Sequence, residues 1–297
     1  MRIAFFGQSG PYAPVALRRL LADTSRRFSL ALVVEGRKLP VGRAMHRWLR
    51  ADPRGTVPVT ESLGDTARAA GADVLQTCDV NAAFVADKVA ECRVDALVCV
   101  GFDRLFRGTL LETAGVRINS HPSRLPELRG PSPLFWLLRH GVRESALTLH
   151  GIDAREDHGP IYAQEPFVLP PRATGEALYG VAGELAGRML VAALGRAAVG
   201  GLVGVPQDEG RASRAPRPKP EDARVEPLAW TCAHLLDFAC GAPYFHTPWL
   251  PLGPDIFHVR RGLRAEPGIR IPAEYVLQGS TLVVQCKDGL AHLEIQT

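Results

Sequence analysis

The sequence predicts an α/β chain: a doubly wound, mainly parallel sheet followed by a smaller β-rich domain of partly open, OB-like barrel type. Three observations carry this. Short apolar runs alternate with helically spaced segments through the first two hundred residues. A stretch rich in proline and arginine, PQDEGRASRAPRPKP at 206–220, then breaks all periodicity. Beyond it, short strand signals recur between glycine turns. The boundaries expected are 1–203 for the first domain, 204–224 for a linker and 225–297 for the second domain.

In order, RIAFFG at Arg2–Gly7 is an apolar run closed by glycine, a first buried strand. Residues 14–23 place Val15, Leu17, Leu20 and Leu21 at helical spacing. A second strand is expected at 28–34, a helix at 81–92 and, at 95–100 (DALVCV), the continuous apolar run of a buried parallel strand. Residues 116–119 form another strand, and 133–140 begin a helix with proline in its first turn. Strands at 146–152 and 161–169 precede a long helix at 174–198, capped by Thr174 and stopped by Gly200 and Gly201. After the linker, 227–240 reads as a helix, and 257–260, 274–277, 281–286 and 292–295 as strands.

With 297 residues and 46% hydrophobic content the chain can bury a sizeable core. It has no continuous apolar run long enough for a membrane span, and its N-terminal apolar run is too short for a signal peptide, so no membrane partner is expected. The six cysteines form no Cys-x-x-Cys pair and read as core thiols of a protein in a reducing, cytoplasmic setting. Net charge is only +4, but residues 1–60 hold eleven Arg and Lys against three Asp and Glu. That imbalance suits an anionic partner, although solvated arginines are the commoner explanation.

The stretch NSHPSRLPELRGPSP, residues 119–133, is too broken for a helix and too polar for a buried strand. It follows a strand, and in a wound sheet ligands bind beyond the carboxyl ends of strands. Asn119 and His121, two apart in an extended segment, share one side. An imidazole takes a proton near neutral pH, and an asparagine amide donates to an oxygen gaining charge. Pro122, Pro126, Pro131 and Pro133 stiffen the loop. A carboxylate partner is available in GIDAREDHGPI, which offers Asp153, Glu156 and Asp157. The plain alternatives are a strand-end histidine bonded to backbone and a solvated turn.

The order Asn-x-His-Pro-Ser-x-Leu-Pro-x-x-Arg-Gly-x-x-Pro, then a strand and an Asp-x-x-x-Asp-x-Gly loop, resembles the 10-formyltetrahydrofolate-dependent formyltransferase family. The resemblance extends over nearly the whole chain. It implies a Rossmann-like catalytic domain, 10-formyltetrahydrofolate as formyl donor and no metal. By position it implies Asn119, His121 and Asp157 as catalytic residues, and Gly101, Phe102, Leu105, Asp153 and Arg155 at the folate. Arg155, His158 and Pro160 replace the glycine, threonine and last aspartate usual in the second loop. The layout is similar to that of the members that formylate methionyl-tRNA, which implies an amine acceptor, either aminoacyl-tRNA such as the initiator or a small amine. Candidates for acceptor or nucleic-acid contact are Arg43, Arg47 and Trp48, on a helix expected at 41–50, and Arg129. A helix covering the sheet explains the same segment. A hydrolase releasing formate, and an inactive folate- or RNA-binding relative, are the alternative functions.

Overall fold

The computed structural model describes residues 1–25, 27–37, 46–49 (backbone only) and 62–296. The elements in chain order are β1 (Arg2–Gly7), α1 (Ala13–Leu21), β2 (Ser29–Gly36), β3 (His46–Leu49), α2 (Leu63–Ala69), β4 (Asp73–Thr77), α3 (Ala83–Glu91), β5 (Ala96–Val100), β6 (Val116–His121), α4 (Pro133–Arg139), β7 (Glu144–Gly151), β8 (Ile161–Val168), α5 (Gly175–Ala197), α6 (Cys232–Gly241), β9 (Trp249–Leu252), β10 (Asp255–Pro267), β11 (Tyr275–Gln278), β12 (Thr281–Cys286) and β13 (Gly289–Ile295). Short 3-10 turns join several of them.

Among the described residues, eight strands form one sheet in the order β3-β4-β2-β1-β5-β6-β7-β8. Pairings β4–β2, β2–β1, β1–β5 and β5–β6 are parallel, while β3–β4 and β6–β7 are antiparallel. All five residues of β5 are buried, as befits a central strand covered on both faces. Leu32, Val34, Leu97 and Phe6 build one core layer with Val85 and Val89 of α3. In α1, Pro14 starts the helix, Leu17 and Leu20 are buried, and Arg18 and Arg19 occupy the last turn, where positive charge is favoured. The mainly parallel wound sheet expected from the alternating pattern is present.

The helix expected over 41–50 is not: His46–Leu49 is an edge strand antiparallel to β4, with Arg47 opposite Gln76 and Trp48 opposite Leu75. Pairing satisfies β4's outer row of backbone groups, a non-local gain that helical spacing does not reveal. In a strand, positions 47 and 48 belong to opposite faces.

Chain packing separates two compact units, each drawn from several stretches. The first comprises Met1–Arg129, Ala146–Phe167 and Tyr179–Arg214; the second comprises Gly130–Ser145, Val168–Leu178 and Ala215–Thr297. The second holds an antiparallel five-stranded sheet, β11-β12-β13-β10-β9. Its core includes Phe135, Phe238, Leu250, Val284 and Leu293. Thr231 caps α6 by accepting from the His234 amide at 3.2 Å, so this helix begins later than the apolar pattern from 227 suggests. All six cysteines are free thiols, three of them buried. Among the described residues one helix, Gly175–Ala197, is long and apolar enough to cross a membrane by composition, yet half of its apolar window is buried within the protein.

Candidate active site

Sheet register assembles the site. Parallel pairing brings the ends of β1, β2, β5 and β6 to one edge, at Gly7, Gly36, Val100 and His121. Asn119 and His121 occupy one face of β6 by alternation. The antiparallel partner β7 then sets His150 directly opposite Asn119. Cross-strand partners share a face, so an amide and two imidazoles meet without any loop's help.

The hydrogen bonds define the protonation pattern. His121 is 4% exposed, and its Nε2 donates to the Leu128 carbonyl at 2.9 Å. A neutral ring donating from Nε2 leaves Nδ1 to accept a proton. That nitrogen lies 3.5 Å from Asp157 Oδ2. His150 donates from Nδ1 to the Gly151 carbonyl at 2.8 Å, so its Nε2 accepts from Asn119 Nδ2 at 3.0 Å. Asn119 Nδ2 also donates to Asp157 Oδ1 at 3.2 Å, and His150 Nε2 lies 3.4 Å from that oxygen. One carboxylate thus faces all three groups. Burial holds the His121 pKa below the ordinary histidine value of 6.5, with Asp157 opposing that shift. Burial, then Asp157, pushes the neighbouring Cys99 thiol up, which keeps it protonated.

The loop that supplies Asp157 is held from both sides. Gly151 and Pro160 close its neck through an N–H···O bond of 2.8 Å. Asp153 accepts from the Arg155 amide and from His158 Nδ1, each at 2.8 Å. Gly159 is obligatory, since a Cβ there would stand 2.0 Å from the Gly151 carbonyl oxygen. Asp157 takes a left-handed φ of +48°, a conformation found at sites where surroundings over-determine the backbone. Those surroundings include Gln207, whose Nε2 donates to the carbonyls of Asp157 (2.9 Å) and Gly159 (2.8 Å). Arg155 does not adopt a left-handed φ, so a non-glycine residue there strains nothing.

The other predicted positions fall as follows. Gly101, at the end of β5, has φ +59°, and an added Cβ would meet the Tyr12 ring at 2.9 Å. Phe102 is half-buried and packs edge-on against Phe6 and Phe106, while the half-buried Leu105 accepts from Asn81 through its carbonyl. The Arg155 side chain is exposed. Arg129 is 8% exposed, and its guanidinium donates to Gln207 Oε1 and to both oxygens of Glu209 at 2.8–3.1 Å. A buried guanidinium requires such partners, and here it ties the loop to the chain beyond α5. Arg43 and the side chains of Arg47 and Trp48 lie outside the described residues.

His150 and Gln207 join the site without having been foreseen. The signal for His150 was present: an imidazole ending the strand run ALTLH, just before the acidic loop. Gln207 sits in what reads as linker and carries no local signal.

Residues 2–194 match the family profile described as Formyl transferase. The chain belongs to that family. Among curated relatives, the methionyl-tRNA formyltransferase of Anaeromyxobacter dehalogenans is 32% identical over 308 aligned positions, covering 99% of this chain and 90% of that protein. The methionyl-tRNA formyltransferase of Roseiflexus castenholzii is 33% identical over 215 residues, 72% of this chain and 64% of that one. Among solved structures, the N-formyltransferase of Helicobacter canadensis, in complex with folinic acid and dTDP-3-aminofucose, superposes with a TM-score of 0.68 at 14% identity and full coverage of both chains, a likeness of fold. This formyltransferase-family chain therefore matches its relatives through both the wound sheet and the segment after it.

Proposed function

We propose that this enzyme transfers the formyl group of 10-formyltetrahydrofolate to a primary amine, with Asn119, His121 and Asp157 as its catalytic residues. The observation that carries this is the convergence of amide, imidazole and carboxylate within 3.5 Å, from positions up to 38 residues apart. In this reading residues 1–203 hold most of the machinery, 204–224 connect and brace, 225–297 form the second domain, and the free thiols fit a cytoplasmic setting.

The acceptor nitrogen attacks the formyl carbon and the carbonyl oxygen gains charge. Asn119 stabilises that oxygen by donating from Nδ2. Both of its amide hydrogens are engaged in the structure, the longer bond being the one to Asp157. The attacking nitrogen passes a proton to His121 Nδ1, and the new imidazolium draws on Asp157, loosening Asp157's hold on Asn119. The carbon–N10 bond then breaks, N10 receives the proton, and the products are a formamide and tetrahydrofolate. Phe102 and Leu105 offer apolar walls for a planar heterocycle, and Asp153 and the main chain of its loop offer polar partners for its edge.

Aminoacyl-tRNA is the favoured acceptor, supported by relatives at 32–33% identity that carry that activity in their names. The test is formation of tetrahydrofolate from 10-formyltetrahydrofolate with and without charged initiator tRNA. Dependence on the tRNA supports the reading. Turnover with a dTDP-amino sugar instead moves the acceptor to small amines, and acceptor-independent release of formate makes the enzyme a hydrolase.

A further inference from the structure

We infer that the second unit binds a phosphate-bearing small molecule, a nucleoside diphosphate in chemical class, in a cavity where Arg172, Arg260 and Arg261 take the phosphates and Tyr244 takes the base. The cavity measures about 850 Å³ and is lined by residues of the segment entering α5, the end of α6 and its following turn, β10 and β13. That volume suits a cofactor-sized ligand, and none of its lining residues belongs to the candidate active site.

The charge arrangement is built. β10 carries a bulge between Val259 and Arg261, opposite Ile295 and Glu294 of β13. Ordinary alternation would send Arg260 and Arg261 to opposite faces; a bulge re-aims side chains, and here both reach one carboxylate. Arg260 Nη1 lies 3.0 Å from Glu294 Oε1, and Arg261 Nε lies 2.6 Å from Oε2. The two side chains remain 71% and 65% exposed, so most of their donors stay open to a solute. Arg172 adds a third guanidinium. Its backbone takes a left-handed φ of +54°, held by an N–H bond of 2.8 Å to Asp237, and its Nη1 donates to the Leu263 carbonyl of β10 at 3.3 Å. A non-glycine residue fixed in this region is typical of ligand clamps. With Glu176 and Glu294 as the acidic lining residues, three guanidinium groups face two carboxylates, one positive charge in excess. Planar guanidinium forks match phosphate oxygens in pairs. Tyr244, 43% exposed and packed against Gly175, adds an aromatic ring to the lining of the same cavity.

The test is calorimetric titration of the full chain with ADP and, separately, with inorganic pyrophosphate. Both should bind saturably at one site. Arg172→Ala and Arg261→Ala should each weaken both ligands by about ten-fold or more, as expected for loss of a charge-assisted pair. Tyr244→Ala should weaken ADP several-fold and leave pyrophosphate unchanged. Arg260→Ala replaces either arginine variant that loses the native thermal midpoint. Absence of saturable heat with both ligands up to about 5 mM, a range that reaches millimolar affinity, overturns the inference. So does ADP binding that the arginine variants leave intact. Binding of tRNA alone, steeply salt-dependent and lost in the same variants, would make this an RNA-backbone contact and equally overturn it.

Discussion

Asp157→Asn separates charge from shape at the candidate site. The left-handed φ of +48° at this position is one that asparagine tolerates as readily as aspartate, so the loop should hold. What disappears is the attraction between a carboxylate and the imidazolium formed at His121 Nδ1, 3.5 Å away. At that separation and an effective dielectric of about 20 the gross interaction is ~5 kcal/mol. Both side chains are largely shielded, at 6% and 11% exposure, so solvent removes only part of it. The replacing amide keeps a dipole, which leaves a net loss of about 3–4 kcal/mol in the step that protonates His121, or roughly 10²–10³-fold in rate. The assay is single-turnover formation of tetrahydrofolate with whichever acceptor supports wild-type turnover. A variant within about three-fold of wild type, or one altered only in KM, would refute electrostatic stabilisation of the imidazolium by Asp157.

Three further outcomes follow from the same geometry. Because burial depresses the His121 pKa, the base stays unprotonated and competent until pH falls through a value below 6.5; kcat at saturating acceptor, which removes the free amine's own ionisation, should be flat above it, and a limb there with its midpoint above 6.5 would assign the base elsewhere. His150→Ala strands one Asn119 N–H and should lower kcat about ten-fold with KM little changed, while His150→Gln, which restores an acceptor, should recover part of the loss; equal kcat in both variants would remove His150 from a positioning role. Gly101→Ala forces a Cβ onto φ +59° and against the Tyr12 ring, and should lower stability in urea by roughly 2–3 kcal/mol; an unchanged midpoint would deny that strain.

The strands nearest the site were legible because the sequence marks them strongly: DALVCV is continuous and apolar, and Asn119 and His121 lie at the end of the next run. α2 and β4 were not, since LGDTARA mixes a glycine and a threonine into one short helix and DVLQT is half polar. β3 and β9 owe their existence to partners, the latter despite Pro251 within it. At the site, spacing put Asn119 and His121 on one side, and the family resemblance, not the pattern, picked Asp157 from the acidic loop; the three lie together. It did not reveal His150, whose place depends on the antiparallel register of β6 and β7. Gln207 and the internal partners of Arg129 were not foreseen for the same reason: long-range bonds from an amide or a guanidinium have no period along the chain.

The Gln207 clamp also makes the loop's support depend on residues beyond the long helix. A nascent chain that has emerged only through α5 possesses Asn119, His121, His150 and Asp157, yet nothing from position 207 onward to grip the Asp157 and Gly159 carbonyls. Until that residue emerges, the loop therefore lacks one of its braces. A chain ended at residue 203 would lack this grip, leaving the loop to its neck bond and to the Asp153 contacts alone.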